Sequence, residues 1–82
     1  MFDFRLKVFY TVARRLNFTK AAEELLISQP AVTKHIKELE SHFNLALFDR
    51  RGNKVVLSPA GEVLLKHTEK SKIKLTFQFR SE

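Results

Sequence analysis

Gln29, Pro30, Thr33, Lys34 and Lys37 are the residues of this chain whose types and spacing offer chemistry. Positions three and four apart share one side of an α-helix, so Gln29, Thr33 and Lys37 line up there, flanked by Pro30 and Lys34. An amide and a hydroxyl can hydrogen-bond the edges of nucleobases, and ammonium groups can neutralise phosphates. On an average helix these side chains would be merely solvated. In this chain they cluster at a helix start directly behind a turn, which favours base contacts by Gln29 and Thr33 and phosphate contacts by Lys34 and Lys37.

A helix must present them. Val32, Ile36, Leu39 and Phe43 recur at spacings of four, three and four, which predicts a helix over 29–43 with one continuous apolar face. Ser28 suits its N-cap, and Pro30 at the second helical position removes no intrahelical hydrogen bond. Before it, Asn17 caps a short helix, Phe18 to Leu26, in which Ala21, Ala22, Leu25 and Leu26 are expected to face inward. The two alanines allow a neighbouring helix to approach closely. Thr19 and Lys20 fall in the first turn, where free amides and the positive end of the helix dipole favour a phosphate. Ile27 and Ser28 form the tight turn between the two helices, the outline of a helix-turn-helix. Upstream, Leu6, Phe9, Ala13 and Leu16, with Val8 and Val12 alongside, mark a helix over 3–16 with Asp3 as its cap. Lys7, Arg14 and Arg15 lie mostly off that stripe and are expected to be solvated charge.

Downstream the pattern changes. Asn44 ends the second helix of the pair, Arg51-Gly52-Asn53-Lys54 is a turn signal, and Val55-Val56-Leu57 is a β-branched run. Together they predict a hairpin over 48–57 that carries Arg50, Arg51, Asn53 and Lys54 at its tip. Ser58 and Pro59 are a cap and a first helical position, and Ala60, Val63 and Leu64 continue a final helix. Residues 72–80 alternate polar and apolar as a strand would, although length and continuity favour helix. The expected fold class is mainly α: a winged helix-turn-helix of three helices plus a two-stranded wing over 1–58, followed by a linker helix over 59–82 whose tail after Lys70 is left unassigned. In such an arrangement the helix enters the major groove and the wing reaches the backbone or minor groove.

Composition agrees with one small domain. The chain has 82 residues, 44% of them hydrophobic and eight of them Phe, enough for a core without staples. No cysteine is present, which excludes disulfides and thiolate metal sites. No apolar run reaches membrane-spanning length, and the N-terminus lacks the apolar stretch of a signal peptide, so a soluble, cytoplasmic protein is expected. Fifteen Lys and Arg against nine Asp and Glu give +6 and a pI near 10, an excess that suits a polyanion, nucleic acid first. Catalysis is not expected: His35, His42 and His67 lack metal-ligand spacing, Glu23, Glu24, Glu38 and Glu40 fall on solvated faces, and no phosphate-cradling glycine loop occurs. No cofactor and no metal are called for. Two competing readings are a module that docks a partner protein, which requires a large exposed apolar patch, and membrane-surface association through the basic residues of 66–80.

Several segments together resemble the N-terminal DNA-binding domain of the LysR-type transcriptional regulators of bacteria. They are Asn17-Phe18-Thr19-Lys20-Ala21-Ala22, Ser28 through Ile36, Leu39-Glu40, Leu47-Phe48-Asp49-Arg50 and Leu57-Ser58-Pro59-Ala60-Gly61. The resemblance covers about residues 3–70 and implies a transcriptional regulator that binds an operator in double-stranded DNA. It implies base contacts by Gln29, Pro30, Thr33 and Lys34. Backbone or minor-groove contacts are implied for Thr19, Ser28 and the wing residues Arg50, Arg51, Asn53 and Lys54, beside those expected of Lys20 and Lys37. It further implies a homodimer joined through the helix from Pro59, a tetramer in the full-length family, and a small-molecule effector bound only by a domain beyond this chain, which resembles a fragment. One departure bears on specificity: Thr33-Lys34 stands where the family more often has Ser-Arg. The threonine methyl could meet thymine, and lysine lacks the bidentate fork that arginine offers guanine.

Overall fold

The computed structural model describes residues 4–68. The Asp3 cap and the assignments for the tail after Lys70 fall outside the described residues. Helix α1 spans Phe4–Arg15, α2 Phe18–Leu25 and α3 Gln29–Phe43; strand β1, Phe48–Arg51, runs antiparallel to β2, Lys54–Leu57. Residues 59–68 are helical and form α4. The architecture is that of a winged helix-turn-helix.

The three apolar stripes meet in one core. Val8, Phe9, Val12 and Ala13 come from α1, Ala21 and Ala22 from α2, Val32, Ile36 and Leu39 from α3, and Leu47 from the segment before the hairpin. Burying each of the larger side chains contributes about 1.5–3 kcal/mol. Ala21 is fully buried, which is how α2 comes to lie close against its neighbours. Asn17 Oδ1 accepts the Lys20 N–H at 2.8 Å, and Ser28 Oγ accepts the Ala31 N–H at 3.2 Å, so both expected N-caps are formed.

The helix ends differ from expectation in an instructive way. Leu26 and Asn44 close α2 and α3 in the left-handed region, at φ 60° and 58°, and Leu16 follows α1 at φ 52°. At the first of these ends the Leu26 and Ile27 N–H groups return to Glu23 O and Ala22 O at 3.3 and 3.1 Å. At the second, Asn44 and Leu45 return to Ser41 O and Glu40 O at 3.3 and 3.1 Å. This is the Schellman pattern, and it satisfies carbonyls that the helix end would orphan. A left-handed residue also swings its side chain out of the helical stripe. Leu26, expected to face inward as the last residue of α2, is 89% exposed and lies outside the helix; Leu16, expected on the α1 stripe, is 43% exposed. Phe43, at the final turn of α3, is also partly exposed rather than sealed in the core.

The hairpin pairs Phe48 with Leu57, Asp49 with Val56, Arg50 with Val55 and Arg51 with Lys54, leaving a two-residue loop. Gly52 has φ +63° and Asn53 a negative φ, the sign pattern of a type II′ turn, whose first central position favours glycine. Phe48 anchors the hairpin to the helices: its ring centroid is 5.4 Å from that of Phe9 and 5.9 Å from that of Phe18. Ser58 accepts the Gly61 N–H at 3.0 Å and so caps α4 as its position before Pro59 predicts.

Candidate nucleic-acid interface

Helix α3 holds its outward side chains in place by burying the opposite face. With Val32, Ile36 and Leu39 in the core, Gln29, Pro30, Lys34 and Lys37 are exposed and Thr33 is half-buried. Gln29 Nε2 lies 3.5 Å from Thr33 Oγ1, so the amide can donate to the hydroxyl one turn along the same face. The α3 N-terminus is already capped by Ser28, whose oxygen is engaged within the chain.

Two shallow hollows lie between α3 and the hairpin and share Phe18, Arg50 and Val55. One is mostly polar and is lined by Asn17, Thr19, Gln29, Arg50 and Asn53 among others. The other carries Thr33, Lys37 and Glu40 on a floor of Phe18, Ile36 and Phe48. Six of the residues expected at the interface are thereby brought together from three elements: Thr19 of α2, Gln29, Thr33 and Lys37 of α3, and Arg50 and Asn53 of the hairpin. Pro30 and Lys34 extend the same helix toward solvent without lining either hollow. Lys20 is exposed on α2. Arg51 and Lys54 face each other across the ladder. Because side chains alternate along a strand, that pair projects from the opposite side of the hairpin to Arg50 and Val55.

Charge is also partitioned. Arg14 Nη2 and Arg15 Nε lie 2.6 and 2.8 Å from the two oxygens of Glu24, and Arg5 Nη1 lies 3.9 Å from Glu38. The hydrogen bond from Arg15, aided by the charge of Arg14 and opposed by partial burial, holds the Glu24 carboxyl below its ordinary pKa. Arg14 also lies over the Tyr10 ring, at 5.6 Å from its centroid. Arg14, Arg15 and Glu24 therefore form a clamp between α1 and α2 rather than the independent solvated charges expected. Among the described residues, no ion pair engages Lys20, Lys34, Lys37, Arg50, Arg51 or Lys54. Six uncompensated cations thus lie on α2, α3 and the wing, besides Lys7 of α1 and Lys66 of α4.

Glu40 is the main residue that periodicity misplaced. Expected on a solvated face, it is half-buried and its Oε2 accepts the Leu47 N–H at 2.9 Å. A carboxylate seven residues from its backbone partner leaves no periodic trace, so only the fold reveals the bond. The His35 ring meets Phe4 edge-on at 5.3 Å, and its Nδ1 stays 3.6 Å from Glu38, beyond hydrogen-bond reach. Among the described residues, no group of His, Cys, Asp and Glu could hold a metal ion, and no helix is long and apolar enough to cross a membrane.

A winged helix-turn-helix with an outward basic helix face is a shared architecture of nucleic-acid-binding proteins. The family profile described as the bacterial regulatory helix-turn-helix protein, lysR family, matches residues 4–62, and the chain belongs to that family. It is 51% identical over 57 residues to the RuBisCO operon transcriptional regulator of Allochromatium vinosum and 49% identical over 59 residues to the transcriptional regulator CysL of Bacillus subtilis. The matches cover 70% and 72% of this chain but only 19% and 20% of those proteins, so the chain spans about a fifth of their length. Among solved structures, a LysR-family regulator from Eggerthella lenta superposes with a TM-score of 0.78 at 48% identity, covering 82% of this chain and 96% of that one. The DNA-binding domain of BenM in complex with catB site 1 DNA superposes with a TM-score of 0.84 at 28% identity, covering 96% and 85%.

Proposed function

We propose that the chain is the sequence-specific DNA-binding unit of a bacterial transcriptional regulator, acting in the cytoplasm and without catalysis of its own. Residues 1–58 form the reading unit in this proposal, and residues 59–82 the linker that joins it to a second copy. Helix α3 enters the major groove, where Gln29, Pro30, Thr33 and Lys34 meet base edges. Thr19, Lys20, Ser28 and Lys37 hold the flanking backbone, and Arg50, Arg51, Asn53 and Lys54 carry the wing to the backbone or minor groove. The observation that carries this reading is the partition of charge. Three of the four cations of α1, Arg5, Arg14 and Arg15, are compensated by Glu24 and Glu38, whereas Lys20, Lys34, Lys37 and the wing cations meet no carboxylate among the described residues and are left for a polyanion. Phosphate contacts supply affinity in such an interface, and base contacts supply discrimination.

Pairing of two chains has its own support. Phe43, Leu45, Leu47, Ala60, Val63, Leu64 and His67 line an apolar hollow beside α4, and Leu45 and Val63 are more than half exposed within the single chain. A second copy covering that face would remove it from water and place two recognition helices on one duplex. The same hollow is what a module for an unrelated partner protein would offer, and salt separates the two readings. The test is selection of binding sites from a random duplex library, followed by footprinting at two salt concentrations with the mass of the protein measured alongside. A reproducible site, protected against competitor DNA and weakened steeply by salt, is expected. Absence of enrichment over random sequence, or binding indifferent to salt, overturns the proposal.

A further inference from the structure

Between the end of α3 and the start of α4 lie the hairpin and its flanking loops, so chain connectivity alone leaves the angle between these two helices undetermined. One residue spans the gap. The Leu47 side chain is 1% exposed, its N–H donates to Glu40 Oε2 of α3 at 2.9 Å, and its carbonyl accepts the Ser58 N–H at 3.0 Å. The neighbouring Ala46 carbonyl accepts Ser58 Oγ–H at 2.6 Å. Gly61, in the first turn of α4, presses its Cα against the same peptide: a Cβ there would stand 2.2 Å from Leu47 O and 2.7 Å from Leu57 Cδ2. Leu47 is thus gripped by α3 through its donor, and by α4 through its acceptor and by direct contact.

We infer that Glu40 and Gly61 are positioning residues that set the angle between α3 and α4, and through it the spacing of the two half-sites that a pair of chains reads. The inference rests on the paired DNA-binding reading given above. Its leverage follows from geometry: tilting roughly 15 Å of helix by about 15° moves its far end about 4 Å, more than the base-pair rise of about 3.4 Å. Half-sites must lie about one helical turn of DNA apart, or a multiple of it, so an error of that size takes the second recognition helix out of register. Gly61 lies outside both hollows, whereas Glu40 borders the one that holds Thr33 and Lys37, so disturbing the junction at Gly61 alters spacing and leaves half-site sequence as it was.

The test uses the full chain, as wild type, Gly61→Ala, Glu40→Ala and Glu40→Gln. Amide residual dipolar couplings report the direction of α3 relative to α4 without any DNA. One common alignment is expected for wild type, and a rotated or averaged α4 for Gly61→Ala and Glu40→Ala. Glu40→Gln should recover much of the wild-type angle, because its amide oxygen still accepts from Leu47. Should the alanine at 61 prevent folding, the two variants at 40 decide the matter. In selection from random duplexes, the spacing should shift or broaden by one base pair or more in both alanine variants, and Gly61→Ala, whose site lies outside both hollows, should keep the wild-type half-site sequence. An unchanged angle, or an unchanged spacing, in a folded alanine variant overturns the inference. Isolated half-sites selected by the wild type would instead overturn the paired reading and the spacing claim with it, while the couplings report the angle separately.

Discussion

Helix α3 and the hairpin contribute to the same face but are held there by different means. Three core residues, Val32, Ile36 and Leu39, run along the inner side of α3, and both of its ends are capped. Its outer residues Gln29, Pro30, Lys34 and Lys37 are exposed and stand on that packed support. The hairpin has four-residue strands anchored at one end, by Phe48 on the rings of Phe9 and Phe18 and by its partner Leu57, and every residue from Asp49 to Lys54 is exposed. Discrimination between bases needs side chains placed to within a fraction of an ångström, whereas neutralising a phosphate tolerates motion. In the proposed reading, the difference in support therefore suits the helix to specificity and the wing to affinity.

The comparison breaks most severely if the inner face of α3 is not what holds it. Ile36→Ala should cost about 2–5 kcal/mol of folding stability, because the lost methylenes leave a cavity in a core with few other large residues. Chemical denaturation measures it, and a variant as stable as wild type would remove the rigid support from the account. Next in size is Gln29→Ala on the outer face. It should lose roughly 1–3 kcal/mol of discrimination at one base pair of the selected site, with non-specific affinity little changed. A uniform loss on all sequences would show that Gln29 holds backbone rather than reads bases.

Much of this organisation is legible in the amino-acid sequence itself. The bounds of α3 follow from Ser28, Pro30 and the four-three-four spacing, and the wing turn from Gly52-Asn53. Caps and turns are local chemistry, and residues a few positions apart reveal them. What escaped depends on contacts between distant segments or on backbone handedness. Leu16 and Leu26 count as apolar in any periodic pattern, yet each leaves its stripe because the chain ends a helix in a left-handed conformation without the glycine that ordinarily marks it. Glu24 and Glu40 read as surface acids because their partners, Arg14, Arg15 and the Leu47 N–H, lie seven to ten positions away. For the candidate interface, the residue types and their alignment along α3 are visible in the sequence, whereas their approach to Thr19, Arg50 and Asn53 is not. Nothing in the tip Arg50-Arg51-Gly52-Asn53-Lys54 reveals that Arg50 and Asn53 border the α3 hollow while Arg51 and Lys54 turn away from it.

That division within the wing sharpens the comparison further. If affinity resides in cations that touch phosphate, each contact removed should lower the log–log slope of affinity against salt by about 0.9. Arg50→Ala should show that loss in full, since Arg50 borders both hollows. Lys54→Ala, at the tip, should show a loss of similar size if the tip follows the backbone beyond the helix. An unchanged slope for both variants would take the wing out of the interface and leave α2 and α3 to bind alone.

The smallest effect tests whether folding and recognition are separable at all. Glu24 lies away from both hollows and joins α1 to α2 through Arg14 and Arg15. Its pKa is lowered in the folded chain, chiefly by the hydrogen bond from Arg15. A carboxyl depressed on folding contributes stability above its unfolded pKa, near 4.5, and loses that contribution as pH falls through the lower folded value. Solvent screening at this partly exposed site keeps the contribution to roughly 0.2–1 kcal/mol. Glu24→Gln should therefore be slightly less stable than wild type at pH 7, and the gap should close as acid protonates the wild-type carboxyl. Freed from Glu24, the two arginines stay on the α1 side of the molecule, so the salt slope and the selected site should not move. A variant whose slope rises would show that Arg14 or Arg15 can reach phosphate once released, and the clamp would then be what withholds them from DNA.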